Sequence, residues 1–306
     1  MASTRLPEGT VLGGRYRLDR LIATGGMGVV YEAWDLGMER QVALKVLDER
    51  SDKDSKRARR FQREVQVTGG IAHPNVVTIY DAGRDEEGYR FMAMELLPGP
   101  TLAAHLEDRP RPSLAFAAAV AGHVLDGLSA AHALGVVHRD IKPDNLVLCG
   151  SAHAPALKLI DFGVSKYDDH WGSMTDGLVL GTPLYLSPEQ IHGAVVDARS
   201  DVWAVGVVLY EMLTGETPFA AATVLGTLTA ISSRVPKLPS ALRPDVPPAL
   251  DAVVMKALSR SADERFESAD EMSLAIEAAL APPLRRTWGR RWHGMGAAFL
   301  ASLWAI

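Results

Sequence analysis

The sequence predicts an α+β protein with two lobes, a smaller strand-rich lobe followed by a larger helical one. Three observations support this fold class. Short β-branched or aromatic runs, separated by glycine or charge clusters, fill the first third of the 306 residues. After residue 100, apolar residues recur at three- and four-residue steps. Between the two patterns stands Pro98-Gly99-Pro100, a strong breaker of regular structure.

The first lobe is predicted to contain five strands, at residues 16–23, 28–35, 41–47, 76–80 and 89–97. A charged, helix-prone stretch at 53–67 lies between the third and fourth of them.

The second lobe is predicted to contain four helices, at residues 113–134, 201–213, 248–258 and 268–280. Gly135 follows the first of these where a C-terminal cap glycine belongs. The second is apolar on nearly every side, which is typical of a helix buried in a core. It is too short for a bilayer, which needs about 20 apolar residues.

These patterns divide the chain into four parts. We expect an N-terminal extension at 1–14, a first lobe at 15–97, a second lobe at 98–281 and a tail at 282–306. The tail is basic and aromatic at first and ends in an uncharged, mostly apolar run at 295–306. Arginines before an apolar run are typical of a segment beside a membrane, although this run is too short to span one. Membrane contact and packing or disorder of the tail both remain open.

Composition excludes several classes of protein. Hydrophobic residues make up 47% and charged residues 23%, so neither a disordered nor a fibrous chain is expected. The net charge of −5 argues against a nucleic-acid partner. The single cysteine, Cys149, allows no disulfide framework and fits a reducing, cytoplasmic compartment. The N-terminus lacks an apolar stretch, so we expect no signal peptide.

Two segments of the first lobe could contact phosphate. Residues 23–30, Ala-Thr-Gly-Gly-Met-Gly-Val-Val, lie between two predicted strands, and glycines let backbone N–H groups approach phosphate oxygens. A simple glycine-rich turn explains that segment equally well. Ala43 and Lys45 share one face of the next strand, so a flat ring could lie on Ala43 while Lys45 reaches phosphates. A lone strand lysine is more often merely exposed.

Two further motifs in the second lobe make these interpretations specific. Residues 138–145 spell His-Arg-Asp-Ile-Lys-Pro-Asp-Asn, and residues 161–163 spell Asp-Phe-Gly. In this order, behind a glycine-rich segment and Lys45, the set resembles the eukaryotic-type (Hanks-type) protein kinase family, and in detail its bacterial serine/threonine branch. The resemblance covers about residues 15–280. Other matching pieces are Arg63-Glu64, His73-Pro74-Asn75, Gly181-Thr182-Pro183, Ser187-Pro188-Glu189, Asp201-Val202-Trp203 and Arg265-Phe266.

The resemblance implies a two-lobed protein-kinase-like fold that binds ATP and Mg²⁺ between its lobes. Asp140 would orient the substrate hydroxyl and accept its proton, and Lys142 would neutralise charge on the transferred group. Asn145 and Asp161 would hold Mg²⁺. Nucleotide contacts would come from Ala23, Thr24, Gly25, Gly26, Met27, Gly28, Val30, Ala43, Lys45, Glu64, Glu95 and Leu97.

Lys142 and the Gly181-Thr182 pair resemble serine/threonine kinases, and the Ala-Ala-Arg type of insertion common in tyrosine kinases is missing after Asp140. Met94 resembles the gatekeeper residue, and residues 95–97 would present backbone groups to adenine. Protein substrates are therefore implied, with a homodimer as an optional partner in autophosphorylation.

The resemblance also implies regulatory and structural residues. Arg139 would bind a phosphorylated residue of the segment 161–189, with Thr175 the first candidate and Ser173 the second. Unmodified loop hydroxyls are nearly as consistent with that sequence. Thr182 would support the catalytic loop. Glu189 and Arg265 would form a buried ion pair, which is structural and not catalytic.

One departure from the family pattern keeps other functions open. Ala23 replaces the first glycine of G-x-G-x-x-G, so weaker or altered closure over the nucleotide is expected. A nucleotide-binding scaffold without phosphoryl transfer is one alternative, which the intact Lys45, Asp140 and Asp161 disfavour. A small-molecule phosphotransferase is another, which the long segment ending at Glu189 disfavours.

Overall fold

The computed structural model describes residues 5–25, 28–48, 56–150, 156–162 and 183–281. In the first lobe, six strands form an antiparallel sheet in the order β1-β2-β3-β4-β6-β5. They are β1 Val11–Leu12, β2 Tyr16–Gly25, β3 Gly28–Asp35, β4 Arg40–Asp48, β5 Ile79–Arg84 and β6 Tyr89–Met94. Helix α1, Lys56–Gly69, packs on one face of this sheet.

The alternation of side chains along β4 divides this lobe into two small cores. Val42, Leu44 and Val46 are buried on the outer face with aromatic side chains of the neighbouring strands. Ala43 and Leu47 are buried on the opposite face, against Phe61 of α1. Lys45 lies between them in the sequence and is buried too, so it points to the face that α1 covers.

The second lobe is mainly helical. Its helices are α2 Leu102–Asp108, α3 Leu114–Ala133, α4 Pro188–His192, α5 Ala198–Thr214, α6 Val224–Ser233, α7 Pro239–Leu242, α8 Pro248–Ala257 and α9 Ala269–Leu280. A short hairpin, β7 Leu146–Leu148 with β8 Leu157–Leu159, lies against α3. The two-lobed α+β architecture expected from the sequence is thus confirmed.

Helix α5 forms the centre of the second lobe because most of its residues are apolar. Of its 17 residues, 14 are buried, and α3, α8 and α9 pack around it. Trp203 is fully buried and stacks on Phe219, with ring centroids 5.3 Å apart. Within the described part of the chain, α3 alone is long enough and apolar enough to cross a membrane. Half of its most apolar 18-residue stretch is buried inside the protein. It is therefore a core helix.

Helix ends follow the signals in the sequence. Ser113 Oγ accepts a hydrogen bond from the N–H of Phe116 and begins α3. Gly135 follows α3 with φ +71°, the left-handed conformation that favours glycine. Ser187 and Gln190 form a reciprocal capping box at the start of α4.

The predicted strand at 76–80 is wrong in its bounds. Strand β5 begins at Ile79 and ends at Arg84, while Val76 makes a single parallel bridge to Leu159 of the second lobe. Val76 is buried in the core of the second lobe and Val77 in the small core beneath α1, so their apolar character does not indicate a sheet strand. The strand predicted at 89–97 ends at Met94. Strand β1, helices α2, α4, α6 and α7, and the β7–β8 hairpin were not predicted.

Candidate active site

Lys45 joins three separate elements at one point. Its Nζ lies 2.7 Å from Glu64 Oε1 on α1 and 2.8 Å from Asp161 Oδ1, just after β8. Burial alone would lower the pKa of Lys45, but the Asp161 and Glu64 carboxylates outweigh burial and raise it. The amine therefore stays a cation inside the protein.

The two carboxylates differ in their surroundings. Burial raises the pKa of Glu64 above its ordinary value, despite the attraction of Lys45. Burial acts in the same direction on Asp161, but Lys45 outweighs it and holds the pKa of Asp161 below its ordinary value. The side chain of Asp161 is 43% exposed, whereas that of Glu64 is buried. Asp161 is thus an ionised carboxylate open to the cleft, and Glu64 anchors Lys45 from behind.

The loop after α3 gathers a second group of polar side chains. Asn145 Nδ2 donates to the backbone carbonyl of Asp140 at 2.8 Å and to its carboxylate Oδ2 at 3.0 Å. Lys142 Nζ lies 3.3 Å from the same carboxylate oxygen. The Asp140 carboxylate is therefore fixed by an amide on one side and a cation on another.

Backbone hydrogen bonds join the two groups. The N–H of Ile160 donates to the carbonyl of Asn145 at 3.0 Å, directly before Asp161. This bond extends the β7–β8 ladder, in which Leu146 pairs with Leu159. Asn145 and Asp161 consequently lie on one edge of the second lobe. They offer amide and carboxylate oxygens, a donor set that suits a hard divalent cation.

Asp201 of α5 supports the loop at 138–145, a role that was not predicted from the sequence. Its carboxylate accepts the backbone N–H groups of His138 and Arg139, each at 2.8 Å, and lies 2.8 Å from His132 Nε2. Arg139 has a φ of +66°, so the loop turns sharply here. The signal in the sequence was a charged residue at the start of the apolar run 201–213.

His138 is buried beneath the loop. Burial lowers the pKa of its ring, which is therefore neutral at pH 7. Its ring centroid lies 4.4 Å from that of the buried Phe162, and its Nε2 lies 3.3 Å from the carbonyl of Ile160. Asp161 is thereby flanked by two residues that contact His138, and its own φ of +56° is a strained value for a residue with a side chain.

Apolar side chains beside Lys45 form a surface suited to a flat ring. Ala43 pairs with Met94 across β4 and β6, and both belong to one core cluster. Val30 and Leu96 are half-buried against that cluster. Ala23 pairs with Val30 across β2 and β3. The residues expected to contact adenine therefore lie next to the end of the sheet that carries Lys45.

The hairpin between β2 and β3 ends at a pair of glycines. Gly25 lies opposite Gly28, and Thr24 opposite Val29. Gly28 has a φ of +148°, and a Cβ built on it would lie 2.5 Å from the carbonyl oxygen of Val46. Only glycine fits there, so the hairpin tip closely approaches β4. Gly26 and Met27 lie outside the described residues.

Beyond Met94, the chain passes between the lobes. The N–H of Glu95 donates to the carbonyl of Thr78 at 3.0 Å, and its carboxylate lies 2.6 Å from Lys158 Nζ. Leu97 is half-buried. A Cβ on Gly99 would lie 1.6 Å from the carbonyl oxygen of Leu148, so this crossing segment lies tightly on the second lobe.

Of the expected regulatory residues, the structure describes Arg139. Its Nε is buried and has no hydrogen-bond partner among the described residues, and its carbonyl accepts from Gln190 Nε2 at 3.0 Å. Ser173, Thr175 and Thr182 lie outside the described part of the chain.

Glu189 and Arg265 form a bidentate ion pair. Nη1 and Nη2 of Arg265 lie 2.7 and 2.8 Å from Oε1 and Oε2 of Glu189, and the Arg265 side chain is fully buried. Burial would raise the pKa of Glu189, but hydrogen bonds from Arg265 and Ser200 lower it to about 2. The pair joins the start of α4 to the segment before α9, away from the Lys45 cluster.

Comparisons with known proteins agree with this geometry. The protein-family model described as "Protein kinase domain" matches residues 16–273 of this chain. Serine/threonine-protein kinase pkn3 of Myxococcus xanthus is 36% identical over 277 residues, which are 88% of this chain and 51% of pkn3. Serine/threonine-protein kinase PknL of Mycobacterium tuberculosis is 39% identical over 280 residues, 90% of this chain and 69% of PknL. The chain spans about half the length of pkn3 and less of some other relatives.

A solved structure is similar over nearly the whole chain. The kinase domain of Mycobacterium tuberculosis PknI has a TM-score of 0.70 and 29% sequence identity, covering 90% of this chain and 100% of the solved one. This chain thus combines a sheet-rich first lobe, a helical second lobe and the Lys45 cluster with a sequence that matches the protein kinase domain. The chain therefore belongs to the protein kinase family, in its bacterial serine/threonine branch.

Proposed function

We propose that this chain transfers the γ-phosphoryl group of Mg·ATP to serine and threonine hydroxyls of proteins. Membership of the family implies ATP, a divalent metal ion and protein substrates. One arrangement carries the proposal for this chain: the Lys45 amine contacts both Glu64 and Asp161, and the residue before Asp161 donates its backbone N–H to Asn145, in the loop that contains Asp140.

In this proposal, the first lobe binds the nucleotide. Lys45 holds phosphate oxygens as a buried cation whose raised pKa keeps it charged. Residues 24–28 supply backbone N–H groups to the phosphates, since the three glycines among them carry no side chains. Ala43, Val30 and residues 95–97 contact adenine.

The second lobe orients the acceptor. Asp140 accepts a hydrogen bond from the substrate hydroxyl, aligns its oxygen, and takes its proton as transfer proceeds. Asn145 and Lys142 keep the Asp140 carboxylate in one orientation. Lys142 also places a positive charge where the transferred group gains negative charge. Catalysis by this set comes mainly from positioning and charge stabilisation.

Asn145 and Asp161 would hold Mg²⁺. The lowered pKa of Asp161 and its exposure to the cleft support this assignment, because a metal ligand must be deprotonated and accessible. A bound Mg²⁺ would supply positive charge that neutralises phosphate oxygens.

We also propose that phosphorylation regulates the site. A phosphate on Thr175, or second on Ser173, would pair with Arg139, whose buried Nε supports this role. Autophosphorylation between two copies of the chain, and membrane contact through the tail at 282–306, are further parts of the proposal that rest on sequence alone.

The test compares the full chain with its Asp140→Asn variant, using γ-labelled Mg·ATP and a generic protein substrate. We expect the wild type to label protein and the variant to label it several orders of magnitude more slowly. The loss reflects the positioning of the hydroxyl and the acceptance of its proton by Asp140. Asp126→Asn on the exposed side of α3 is the matched control and should retain activity. If neither the wild type nor the variant labels any protein, a nucleotide-binding scaffold is favoured. Label confined to a small molecule would favour a small-molecule phosphotransferase.

A further inference from the structure

An ion pair behind the cleft joins the lobes independently of Lys45. Lys158 Nζ lies 2.6 Å from Glu95 Oε1, and each side chain is only 19% exposed. Glu95 is the first residue after β6, in the segment expected to contact adenine. Lys158 is the central residue of β8, three positions before Asp161. The pair therefore connects the expected adenine end of the site with its metal-holding end.

Both partners make further bonds to one short segment. Glu95 Oε1 also accepts the N–H of Thr78 at 2.6 Å, and the N–H of Glu95 donates to the carbonyl of Thr78 at 3.0 Å. Lys158 Nζ donates to the carbonyl of Val76 at 3.3 Å. Both members of the ion pair are thus hydrogen-bonded to the segment 76–78.

The same segment is bonded to β8 through its backbone. Leu159 N–H donates to the carbonyl of Asn75 at 2.8 Å, and Val77 N–H donates to the carbonyl of Leu159 at 3.0 Å. Leu157 and Leu159 are buried in the core of the second lobe, so β8 is a rigid support. Residues 75–78, Glu95 and β8 consequently form one unit.

The charges within this unit are balanced. Burial raises the pKa of the neighbouring Cys149 thiol, which stays neutral at pH 7 and adds no charge beside Lys158 and Glu95. The hydrogen bond between Lys158 and Glu95 is charge-assisted and partly buried, and such a bond is stronger than one exposed to solvent.

We infer that Lys158 and Glu95 are positioning residues for the nucleotide. The pair fixes residue 95 relative to Asp161 before binding, so that the groups contacting adenine and those holding the metal are already in register. A nucleotide that finds both ends preorganised loses less free energy in ordering the protein. This inference rests on the proposed function, since it assumes that the cleft binds Mg·ATP.

The decisive variant is Lys158→Met, which keeps the length of the side chain and removes its charge. We expect the dissociation constant for Mg·ADP, measured by titration calorimetry on the full chain, to rise about tenfold as preorganisation is lost. The turnover number at saturating ATP should stay within about twofold, because bound nucleotide restores the register. The control is Lys256→Met, which breaks the 2.8 Å Lys256–Glu271 pair far along the second lobe.

A double-mutant cycle tests whether Lys158 acts through Glu95. Glu95→Gln keeps an oxygen for the Thr78 N–H, so it should weaken Mg·ADP binding by only about threefold. Adding Lys158→Met to Glu95→Gln should then cost less affinity than it costs in the wild type. Melting temperatures of all variants separate loss of stability from loss of affinity.

Three outcomes would overturn the inference: unchanged Mg·ADP affinity in Lys158→Met, tighter binding in that variant, or equal losses in both Glu95 backgrounds. Failure of the wild type to bind Mg·ADP would instead contradict the proposed function, so the two failures are distinguishable.

Discussion

Lys45 Nζ and Glu64 Oε1 lie 2.7 Å apart and join β4 of the sheet to helix α1. Both side chains are buried, so neither charge has water as an alternative partner. The position of α1 therefore determines whether the Lys45 amine points at Asp161. A displacement of the helix would leave Glu64 buried without its cation and Lys45 with Asp161 alone, which favours the assembled arrangement.

Glu64→Gln tests this dependence. Glutamine retains an oxygen that accepts from Lys45 but removes the charge, so burial would then lower the pKa of Lys45 with less opposition. We expect kcat/KM for ATP to fall about tenfold to hundredfold. The loss should deepen as the pH rises through about 7, because burial raises the pKa of Glu64 to about 7, so the wild-type carboxylate ionises there while glutamine stays neutral. Steady-state kinetics from pH 6 to about pH 9 would measure both effects. Glu107→Gln on the exposed face of α2 is the matched control; equal kinetics in the two variants would contradict the prediction.

The sequence predicted most of the first lobe and supplied the candidate residues of the site, because these depend on local patterns. The alternation in 41–47 identifies β4 and puts Lys45 on the face with Ala43. The spacing of apolar residues and the flanking Ser113 and Gly135 locate α3 closely. The motifs at 138–145 and 161–163 supply candidate residues without any knowledge of their distances.

What the sequence did not predict depends on contacts between distant segments. Val76 and Val77 have the composition of a strand, but they pair with β8 of the other lobe. The role of Asp201 appears only when α5 is packed beneath the catalytic loop. The Lys158–Glu95 pair joins residues 63 positions apart, and neither residue type is unusual where it stands.

Gly28→Ala should damage the hairpin above the site. A Cβ there would lie 2.5 Å from the Val46 carbonyl oxygen, and the φ of +148° disfavours any side chain. We expect a loss of about 1–3 kcal/mol in unfolding free energy, with weaker Mg·ADP binding. Gly122→Ala in α3 has open space around its Cβ and should instead gain roughly 0.5–1 kcal/mol. Denaturant unfolding of both variants measures the contrast, and equal stabilities would argue against a close approach of the hairpin to β4.

Thr175→Ala should lower activity if a phosphate at that position pairs with Arg139. The phosphate would supply charge-assisted hydrogen bonds to a guanidinium whose Nε has no partner among the described residues. We expect a fall of about tenfold in turnover, with no further loss when Arg139→Gln is added. Mass spectrometry of the active wild type identifies the modified residue. An unphosphorylated Thr175 together with unchanged kinetics would remove the proposal, and modification of Ser173 would transfer it there.

The tail at 282–306 should confer membrane binding if it lies in the lipid interface. It combines arginines and tryptophans with an apolar end, which favours anionic lipid surfaces. We expect the full chain to sediment with anionic vesicles, and a chain ending at Ala281 to remain in the supernatant. Raised salt should reduce sedimentation, since part of the attraction is electrostatic. Equal partitioning of the two chains would exclude the tail as an anchor.

The Glu189–Arg265 pair predicts how stability depends on acid. The pKa of Glu189 in the folded protein is lowered to about 2, from an ordinary value of 4.5. The folded state therefore binds the proton more weakly than the unfolded state, and the contribution of the pair is present above pH 4.5 and lost as the pH falls towards about 2. Arg265→Met would leave the carboxylate buried without its cation and should cost about 3–5 kcal/mol at neutral pH. Glu189→Gln removes the titrating group, so its unfolding free energy should vary less with pH between those two values than that of the wild type. Urea unfolding at several pH values compares the two slopes, and parallel curves would show that Glu189 has no lowered pKa in the folded protein.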